Sequence, residues 1–379
     1  MRRLGRVIRR EVRHIALRPL LWFASLGGGL FVALFLSTVF GDGEILKLPI
    51  GVVHLDHTPT SRSLIRTLDA SPKLSVGASY TSSYAAVEAM RRREIYGFVV
   101  FPDGLERAMV GGEALTIPYY YHYALMSIGG EVATALRTIL EMASVEPIIA
   151  TATALGVPAK QSLAVISPTS ANIHPLGNAT LNYRTYLAEP FFFIMLQILI
   201  LLTTLYIIGC ERMCGSGTEW LGCAGGNMTI ALIGKLLPYT LAFAATSVAA
   251  IAMLHPEGMS LNEASMQMLY TLLLIAASQA IAVFIYALVP AMALSMSFLS
   301  MMGSIGATLS GVTFPVMAMY PIFRHLSLLL PVRHFTLLLQ GESLTDGWLH
   351  VVALLAFLLL PLLTIGRLRR IMTTQNLPK

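Results

Sequence analysis

The chain carries several apolar runs that are long enough to cross a lipid bilayer. A spanning α-helix needs about 20 predominantly apolar residues. Runs of about that length lie at residues 19–40, 190–209, 228–254, 266–289, 291–314 and 349–366. This pattern predicts an α-helical membrane protein with about six transmembrane helices.

Residues 41–186 follow another pattern, in which short apolar strands alternate with short helices. The predicted strands are 48–55, 74–79, 96–101 and 115–121. The predicted helices are 58–70, 82–93, 102–110 and 125–155. Such alternation is typical of a small mixed or parallel sheet with helices packed on it. We therefore predict an α/β domain at 41–186, inserted between the first two spans, with the remaining spans at 187–379.

The apolar segment at 314–340 is broken by Pro315, Pro321 and Pro331. Proline interrupts a helix because it lacks the backbone N–H and its ring clashes with the preceding turn. The segment is therefore predicted to form a pair of short helices dipping into the outer leaflet, a re-entrant hairpin, with its backbone groups covered by protein.

Basic residues lie at both ends of the chain, next to predicted spans. Residues 1–18 are rich in arginine, with Glu11 as their only acidic residue, and Arg367, Arg369 and Arg370 follow the last span. Apolar residues recur at helical spacing in 1–18, which predicts an amphipathic interfacial helix ended by Pro19. By the positive-inside rule both termini face the cytoplasm, and an even number of spans places 41–186 outside it. We expect a multi-pass protein of the bacterial cytoplasmic (inner) membrane with an extracytoplasmic, periplasmic α/β domain.

The composition fits two environments in one chain. Hydrophobic residues make up 55% of the 379 residues and charged residues 12%, whereas soluble domains carry about 25% charged residues. The formal net charge of +6 could by itself indicate nucleic-acid binding. Because the arginines responsible adjoin membrane spans, we predict membrane lipid and no nucleic acid as a partner.

The common sequence signatures of catalysis are missing. The chain has no Gly-x-x-x-x-Gly-Lys-Ser/Thr phosphate loop, no His-Glu-x-x-His and no Gly-x-Ser-x-Gly motif. Cys210, Cys214 and Cys223 lack the Cys-x-x-Cys pair and partner histidines of a zinc site. We predict a chain that is not an enzyme, with no catalytic residue, metal or cofactor of its own.

Ionisable residues are nearly absent from the predicted spans. Glu189 lies at the outer edge of the second span and Lys235 at the inner end of the third. Charges inside a membrane mark functional paths, whereas charges at its edge are commonly solvated. We interpret Glu189 as a solvated interfacial residue, with contact to a substrate as the alternative.

The loop after the second span resembles the ABC-2 permease family, in which an E-R-x-x-G-T segment followed by an acidic residue and leucine forms the helix that couples to an ATPase. Glu211, Arg212 and Gly215 match that motif, and Ser216 stands where threonine is usual. The resemblance implies a cytoplasmic coupling helix at 211–225.

Two further residues of this loop complete the predicted coupling site. Glu219 is the acidic residue, about one position later than in the family motif, and Trp220 follows it. A short charged helix held between two spans can transmit the motion of a soluble motor, and Trp220 could anchor it at the membrane interface. The alternative for the whole segment is an ordinary solvated loop.

The 314–340 region and the α/β segment carry the same resemblance. A Ser-Gly-x-x-Phe-Pro element ends at Phe314 and Pro315, and a Leu-Pro-x-Arg-His element ends at Arg333 and His334. Both resemble the family's outer re-entrant hairpin, so these four residues are the candidate outer gate. Ile50–Asp56 and Ile95–Pro102 resemble the external domain of the subgroup with a large insertion between its first two spans.

The resemblance implies the permease subunit of an ATP-driven ABC exporter. ATP and Mg²⁺ would be bound by separate cytoplasmic ATPase subunits, and a second permease copy, identical or related, would complete the path. A periplasmic membrane-fusion adaptor is a further partner that the resemblance leaves open. The apolar, charge-poor spans favour a hydrophobic or amphipathic cargo such as a lipid, a glycolipid or a drug.

Two other classes of function are weighed against transport. A membrane-anchored extracytoplasmic sensor or scaffold needs fewer spans and no proline-broken hairpin. A membrane enzyme would be expected to carry paired acidic residues or histidines in its spans, and such clusters are missing from the sequence of the predicted spans.

Overall fold

The computed structural model describes residues 2–41, 43–111, 115–154, 156, 158, 182–341 and 344–374. The chain divides into two compact units, one formed by Met1–Gly43 with Pro175–Lys379 and the other by Glu44–His174. The first unit is helical, and the second contains a β-sheet. Residues 159–181 of the predicted α/β segment lie outside the described residues.

Four strands form the sheet of the second unit, in the order β2-β1-β3-β4. They are β1 (Leu48–His54), β2 (Leu74–Tyr80), β3 (Gly97–Phe101) and β4 (Tyr119–Tyr121). β1 pairs in parallel with β2 and β3, and β4 pairs antiparallel with β3. The helices of this unit are Pro59–Ala70, Ser83–Arg91, Leu105–Gly111 and Met126–Ala154. The prediction of a small mixed sheet with helices is confirmed.

Local chemistry explains two boundaries in this unit. Thr58 caps the helix Pro59–Ala70, since its hydroxyl accepts a hydrogen bond from the N–H of Ser61 at 3.4 Å. The strand predicted at 115–121 is wrong in extent, because only Tyr119–Tyr121 is strand. Pro118 has no N–H to donate to a strand ladder, so regular pairing begins after it.

Six helices among the described residues of the first unit are long and apolar enough to cross a membrane. We number them spans 1 to 6: Pro19–Val39, Arg184–Met213, Met228–Leu254, Leu261–Leu288, Met292–Leu309 and Gly347–Thr373. The predicted fold class, an α-helical membrane protein with an inserted α/β domain, is confirmed.

Several span boundaries differ from those predicted. Span 5 ends at Leu309 and not at 314, because Gly311 takes a φ of +89°, the left-handed conformation that commonly terminates helices. Span 6 extends to Thr373 and is interrupted between Phe357 and Leu360, where Pro361 occupies the first turn of the second part.

A helix at Arg2–Leu17 precedes span 1, and Pro19 opens the span itself. This amphipathic helix packs on span 3 with Val7 fully buried. Gly234 of span 3 permits the approach, because a Cβ there would lie 2.8 Å from Cβ of Val7. Span 1 contains one π-helical turn, Phe23–Gly27.

The proline-broken segment forms two short helices, Pro321–Ser327 and Pro331–Leu339, whose axes meet at 86°. A single 3₁₀ turn, Val316–Ala318, precedes them. Each helix begins with proline, which fits the first turn because its missing N–H would have no intrahelical acceptor there. The depth of this pair in a membrane stays a prediction.

Candidate functional site

A buried ionic cluster lies at the end of the helical bundle that carries the amphipathic helix. Its central residue is Glu211, near the end of span 2 and 3% exposed. Arg10 donates to both carboxylate oxygens of Glu211, with Nη1–Oε1 at 2.7 Å and Nη2–Oε2 at 3.0 Å. Ser216 Oγ donates to Oε2 at 2.6 Å. A paired guanidinium and carboxylate of this kind is among the strongest polar contacts in proteins.

A second carboxylate completes the cluster. Lys235 of span 3 is 2% exposed, and its Nζ lies 2.7 Å from Oε1 of Glu211 and 2.8 Å from Oε2 of Glu11. Tyr239 donates to Oε1 of Glu11 at 2.9 Å. The ring of Trp220 lies 5.4 Å from Lys235 Nζ, a cation–π distance. Two cations and two carboxylates therefore balance each other inside the protein.

The cluster, which we call the ionic joint, consists of Arg10, Glu11, Glu211 and Lys235. It connects the amphipathic helix, span 2 and span 3, three segments that are far apart in sequence. A buried charge that loses its partner costs roughly 3–5 kcal/mol. Relative movement of these three segments would break such contacts, so they are expected to move as one body.

The predicted coupling segment contributes to this joint in an unexpected way. Glu211 and Arg212 belong to the last turns of span 2, and the separate short helix is Gly217–Cys223. Trp220 is 0% exposed, so the expectation that it anchors the segment at the membrane interface is wrong: its ring lies against Lys235 inside the bundle.

The other predicted coupling residues are placed as follows. Arg212 Nη1 donates to the carbonyl of Pro290 between spans 4 and 5 at 2.6 Å. Gly215 takes a φ of +67°, which glycine adopts readily. The side chain of Glu219 is 71% exposed, and its Oε1 lies 3.5 Å from Arg10 Nε. Of the two predicted acidic coupling residues, Glu219 has an exposed side chain and Glu211 a buried one.

Glu11, His14 and Glu211 place one ligand atom each within 4.8 Å of one another, which superficially suits a metal ion. Lys235 Nζ, however, lies within 2.8 Å of both carboxylates and already supplies the positive charge. Burial and the nearby Arg10 also lower the pKa of His14. The adjoining cavity of about 20 Å³ has room for about one water molecule. We therefore assign Glu11 and Glu211 to the ionic joint, with His14 beside it, and propose no metal ion here.

The candidate gate residues lie at the opposite end of the bundle. Arg333 Nη1 donates to the carbonyl of Ser310 at 2.9 Å. A side chain at Gly311 would overlap that guanidinium. His334 is buried, with Nε2 at 2.9 Å from the carbonyl of Leu328. Phe314 and Pro315 are exposed on the intervening loop. Arg333 therefore fastens the hairpin to the end of span 5 and His334 fastens it internally. The gating role of all four residues stays a prediction.

Glu189, near the start of span 2, forms a second buried polar group. It is 3% exposed, so its interpretation as a solvated residue is wrong. Gln267 Nε2 donates to its Oε1, and His255 Nε2 lies 3.2 Å from its Oε2. Spans 3 and 4 bring these two residues over the carboxylate. The pKa of His255 is raised, mainly by Glu189 and further by Glu257, although burial alone would lower it.

A cavity of about 580 Å³ opens beside Glu189. Its polar lining residues include Glu189, His255, Glu263 and Gln267, and Met259, Met266 and Tyr270 are among its apolar or aromatic ones. A cavity with a few polar groups in a mainly apolar wall is the usual form of a small-molecule site.

Six apolar spans, two buried ionic groups and a separate α/β unit define a multi-pass α-helical membrane protein. The family model of the ABC-2 family transporter proteins matches residues 19–366. Because this match covers most of the chain, the chain belongs to the ABC-2 family of transporter proteins and is a membrane subunit whose transporter includes an ATPase. No curated protein matches the chain.

Sequence reasoning missed four residues of the ionic joint and its surroundings as functional candidates: Arg10, Glu11, Lys235 and Tyr239. Two signals were present. Glu11 is the only acidic residue among the N-terminal arginines, and Lys235 is the only charged residue of span 3. Since buried charges are normally paired, these two isolated residues could have been matched to each other.

Proposed function

We propose that this chain is the permease subunit of an ABC exporter and that its ionic joint transmits the movement of a separate ATPase to the spans. The observation that carries this proposal concerns the short helix Gly217–Cys223, which exposes Glu219 on one face and buries Trp220 on the other. Through these two residues the helix contacts the buried cluster that holds spans 2 and 3 together. In this proposal the end with the ionic joint faces the cytoplasm of a bacterial inner membrane, and the α/β unit is extracytoplasmic.

Arg10 provides the physical link between an exposed surface and the buried cluster. It contacts the exposed Glu219 at 3.5 Å and the buried Glu211 at 2.7 Å. An ATPase that binds the Glu219 carboxylate would compete with Arg10 for that carboxylate. A partner can shift a conformational equilibrium only through contacts that differ between the two states. In this proposal the exposed Arg10–Glu219 contact changes when the ATPase binds, whereas the buried Arg10–Glu211 contact stays in place.

The cargo side of the proposal is supported by the cavity beside Glu189. A wall that combines apolar side chains with the carboxylates of Glu189 and Glu263 suits a hydrophobic or amphipathic cargo better than a small polar solute. A path for such a cargo would be completed by a second permease copy, and the hairpin with Phe314, Pro315, Arg333 and His334 would form its outer gate. A periplasmic adaptor stays a prediction from the resemblance.

The test of this function uses Glu219→Gln, co-expressed with the ABC ATPase subunit of the same transporter. The exposed Glu141→Gln in the α/β unit is the matched control, since it removes the same charge elsewhere. Both variants should insert and retain stability, because exposed substitutions usually change stability by less than about 0.5 kcal/mol. We expect Glu219→Gln to reduce co-purified ATPase and permease-stimulated ATP hydrolysis several-fold, and Glu141→Gln to leave both unchanged.

Equal co-purification and equal ATP hydrolysis for the two variants would remove Glu219 from the coupling site. Failure of the wild-type chain to retain any ATPase, in the same preparation, would contradict the permease assignment itself and favour the sensor or scaffold alternative.

A further inference from the structure

A basic cavity of about 430 Å³ lies at the end of the bundle that carries the ionic joint. Its two charged lining residues are Arg3 of the amphipathic helix and Arg369 near the end of span 6. Acidic side chains are missing from this lining, and neither arginine has an ion-pair partner among the described residues. A cavity with two uncompensated guanidinium groups favours an anion.

The chain between the helix Gly217–Cys223 and span 3 adds to this preference. Gly225 and Gly226 take φ values of +67° and +80°, and a Cβ on Gly225 would lie 2.9 Å from Arg3 Nε. The guanidinium of Arg3 therefore lies against the backbone at Gly225. Span 3 then begins at Met228. Asn227 caps it by accepting a hydrogen bond from the N–H of Ile230 at 3.1 Å, and the other N–H groups of its first turn have no acceptor within the helix and carry a partial positive charge.

An apolar groove of about 310 Å³ continues from this cavity between spans 3, 4 and 6. Ile365 lines both cavities, and the consecutive residues Met228 and Thr229 line one each. Most of the groove wall is aliphatic, including the half-exposed Leu362. The groove therefore offers an apolar surface of the kind an acyl chain covers.

Gln279 is the largest of three polar side chains in that wall, the other two being Thr229 and Thr240. Gln279 of span 4 is 4% exposed, and its Oε1 accepts a hydrogen bond from Thr240 Oγ1 at 2.8 Å. Its Nε2 is buried and has no acceptor among the described residues. A buried amide donor without a partner costs free energy unless something occupies it. An ester carbonyl of a glycerolipid in the groove would be a suitable acceptor.

We propose that the basic cavity and the apolar groove together form a binding site for one anionic phospholipid. The phosphate of the headgroup lies between Arg3, Arg369 and the start of span 3, and an acyl chain lies in the groove. A free phosphate ion would use the arginines but leave the groove empty, whereas a zwitterionic lipid would fill the groove with less gain at the arginines. The site does not depend on the partner ATPase.

The test is native mass spectrometry of the purified full chain, titrated with palmitoyl-oleoyl phosphatidylglycerol or with the matched phosphatidylcholine. The site variant is Arg3→Gln with Arg369→Gln. Its matched control, Arg2→Gln with Arg370→Gln, removes the same charge from exposed neighbours that do not line the cavity. We expect the site variant to bind phosphatidylglycerol roughly thirtyfold more weakly, because each arginine near an anionic lipid contributes about fivefold. The control should resemble the wild type.

Leu362→Trp tests the groove separately. The position is exposed at the groove rim, so the indole can cover the groove without displacing packed side chains. It should weaken phosphatidylglycerol binding while leaving the mass of the assembly unchanged. A thermal unfolding series with inorganic phosphate should show no stabilisation, since the headgroup alone lacks the acyl contact, whereas phosphatidylglycerol should raise the Tm of the wild type.

Four outcomes would overturn the proposal. They are equal phosphatidylglycerol binding by the site variant and wild type, an equal loss in the control, equal binding of phosphatidylcholine, and stabilisation by phosphate alone. A change in the assembly mass of Leu362→Trp would instead assign the groove to contact with a second copy of the chain.

Discussion

Span 2 carries a buried carboxylate near each end, and the two carboxylates have different neighbours. At 1.5 Å per residue, Glu189 and Glu211 lie about 33 Å apart along the helix, close to the roughly 30 Å thickness of a bilayer's hydrocarbon core. Glu211 is held by two basic side chains, Arg10 and Lys235. Glu189 is held by the neutral Gln267 and the titratable His255.

This difference separates a fixed end of the molecule from an adjustable one. At the ionic joint two carboxylates and two basic side chains hold one another in place, whereas the charge beside Glu189 changes when the imidazole of His255 titrates. The ionic joint also adjoins a cavity for about one water, while Glu189 faces about 580 Å³ of open volume. We infer that the first end transmits force and the second accommodates a ligand.

The largest effect is expected from Glu211→Ala compared with Glu189→Ala. Removal of Glu211 leaves two buried cations without their shared partner, which should lower the free energy of unfolding by about 3–5 kcal/mol. Removal of Glu189 leaves His255 free to lose its proton, so the loss should be about 1–3 kcal/mol. Thermal stability of the detergent-purified chain, followed by fluorescence-detected size exclusion after heating, measures both. Equal losses would end the distinction between the two ends.

An intermediate effect is expected when the double variant Lys235→Met with Glu11→Gln is compared with its two single variants. Each single variant leaves an uncompensated buried charge, and the double variant removes one charge of each sign. The double variant should therefore be more stable than the sum of the single losses predicts, with a coupling of about 0.5–3 kcal/mol. The same heating assay provides the cycle, and additive losses would show that Lys235 and Glu11 do not interact.

The smallest effect is a pH dependence that belongs to the Glu189 end. Because the pKa of His255 is raised in the folded chain, its protonated form stabilises the fold. That contribution is complete below the ordinary histidine pKa of about 6.5 and is lost as the pH rises through the raised value. Glu189 and Glu257 face His255 at 3.2 and 3.6 Å, and Glu263 is a third carboxylate near it.

The measurement is the Tm of the wild type and of His255→Gln across this pH range. The wild type should lose stability on going from acidic to alkaline pH, and the variant should lose less. A slope that survives unchanged in His255→Gln would assign the titration to another group.

Much of the fold was predictable because single segments carry the signal for it. A lipid environment requires each helix to satisfy its own backbone groups, so apolar runs identify the spans one by one. Thr58 and Pro59 likewise mark a helix start from adjacent positions alone. The boundary errors arose where one residue changed the backbone, as Gly311 does after span 5 and Pro118 does before β4.

The buried ionic groups were not predictable in the same way, because their members come from distant parts of the chain. Arg10 and Glu211 meet only after the amphipathic helix packs on span 3, which depends on the close approach of Val7 to Gly234. Glu189 looked solvated because its position in sequence is at the edge of a span. It is buried because spans 3 and 4 place His255 and Gln267 over it.

The π-helical turn Phe23–Gly27 predicts that span 1 tolerates the deletion of one residue at this turn. Such a turn holds one residue more than an α-helical turn without rotating the helix on either side. Deleting Ala24 should therefore restore a regular helix and keep Gly29 against Thr246 of span 3. Deleting Leu34 instead would rotate every later residue of the span by about 100°. A deletion scan of span 1 should accordingly find one permissive turn in an otherwise intolerant helix.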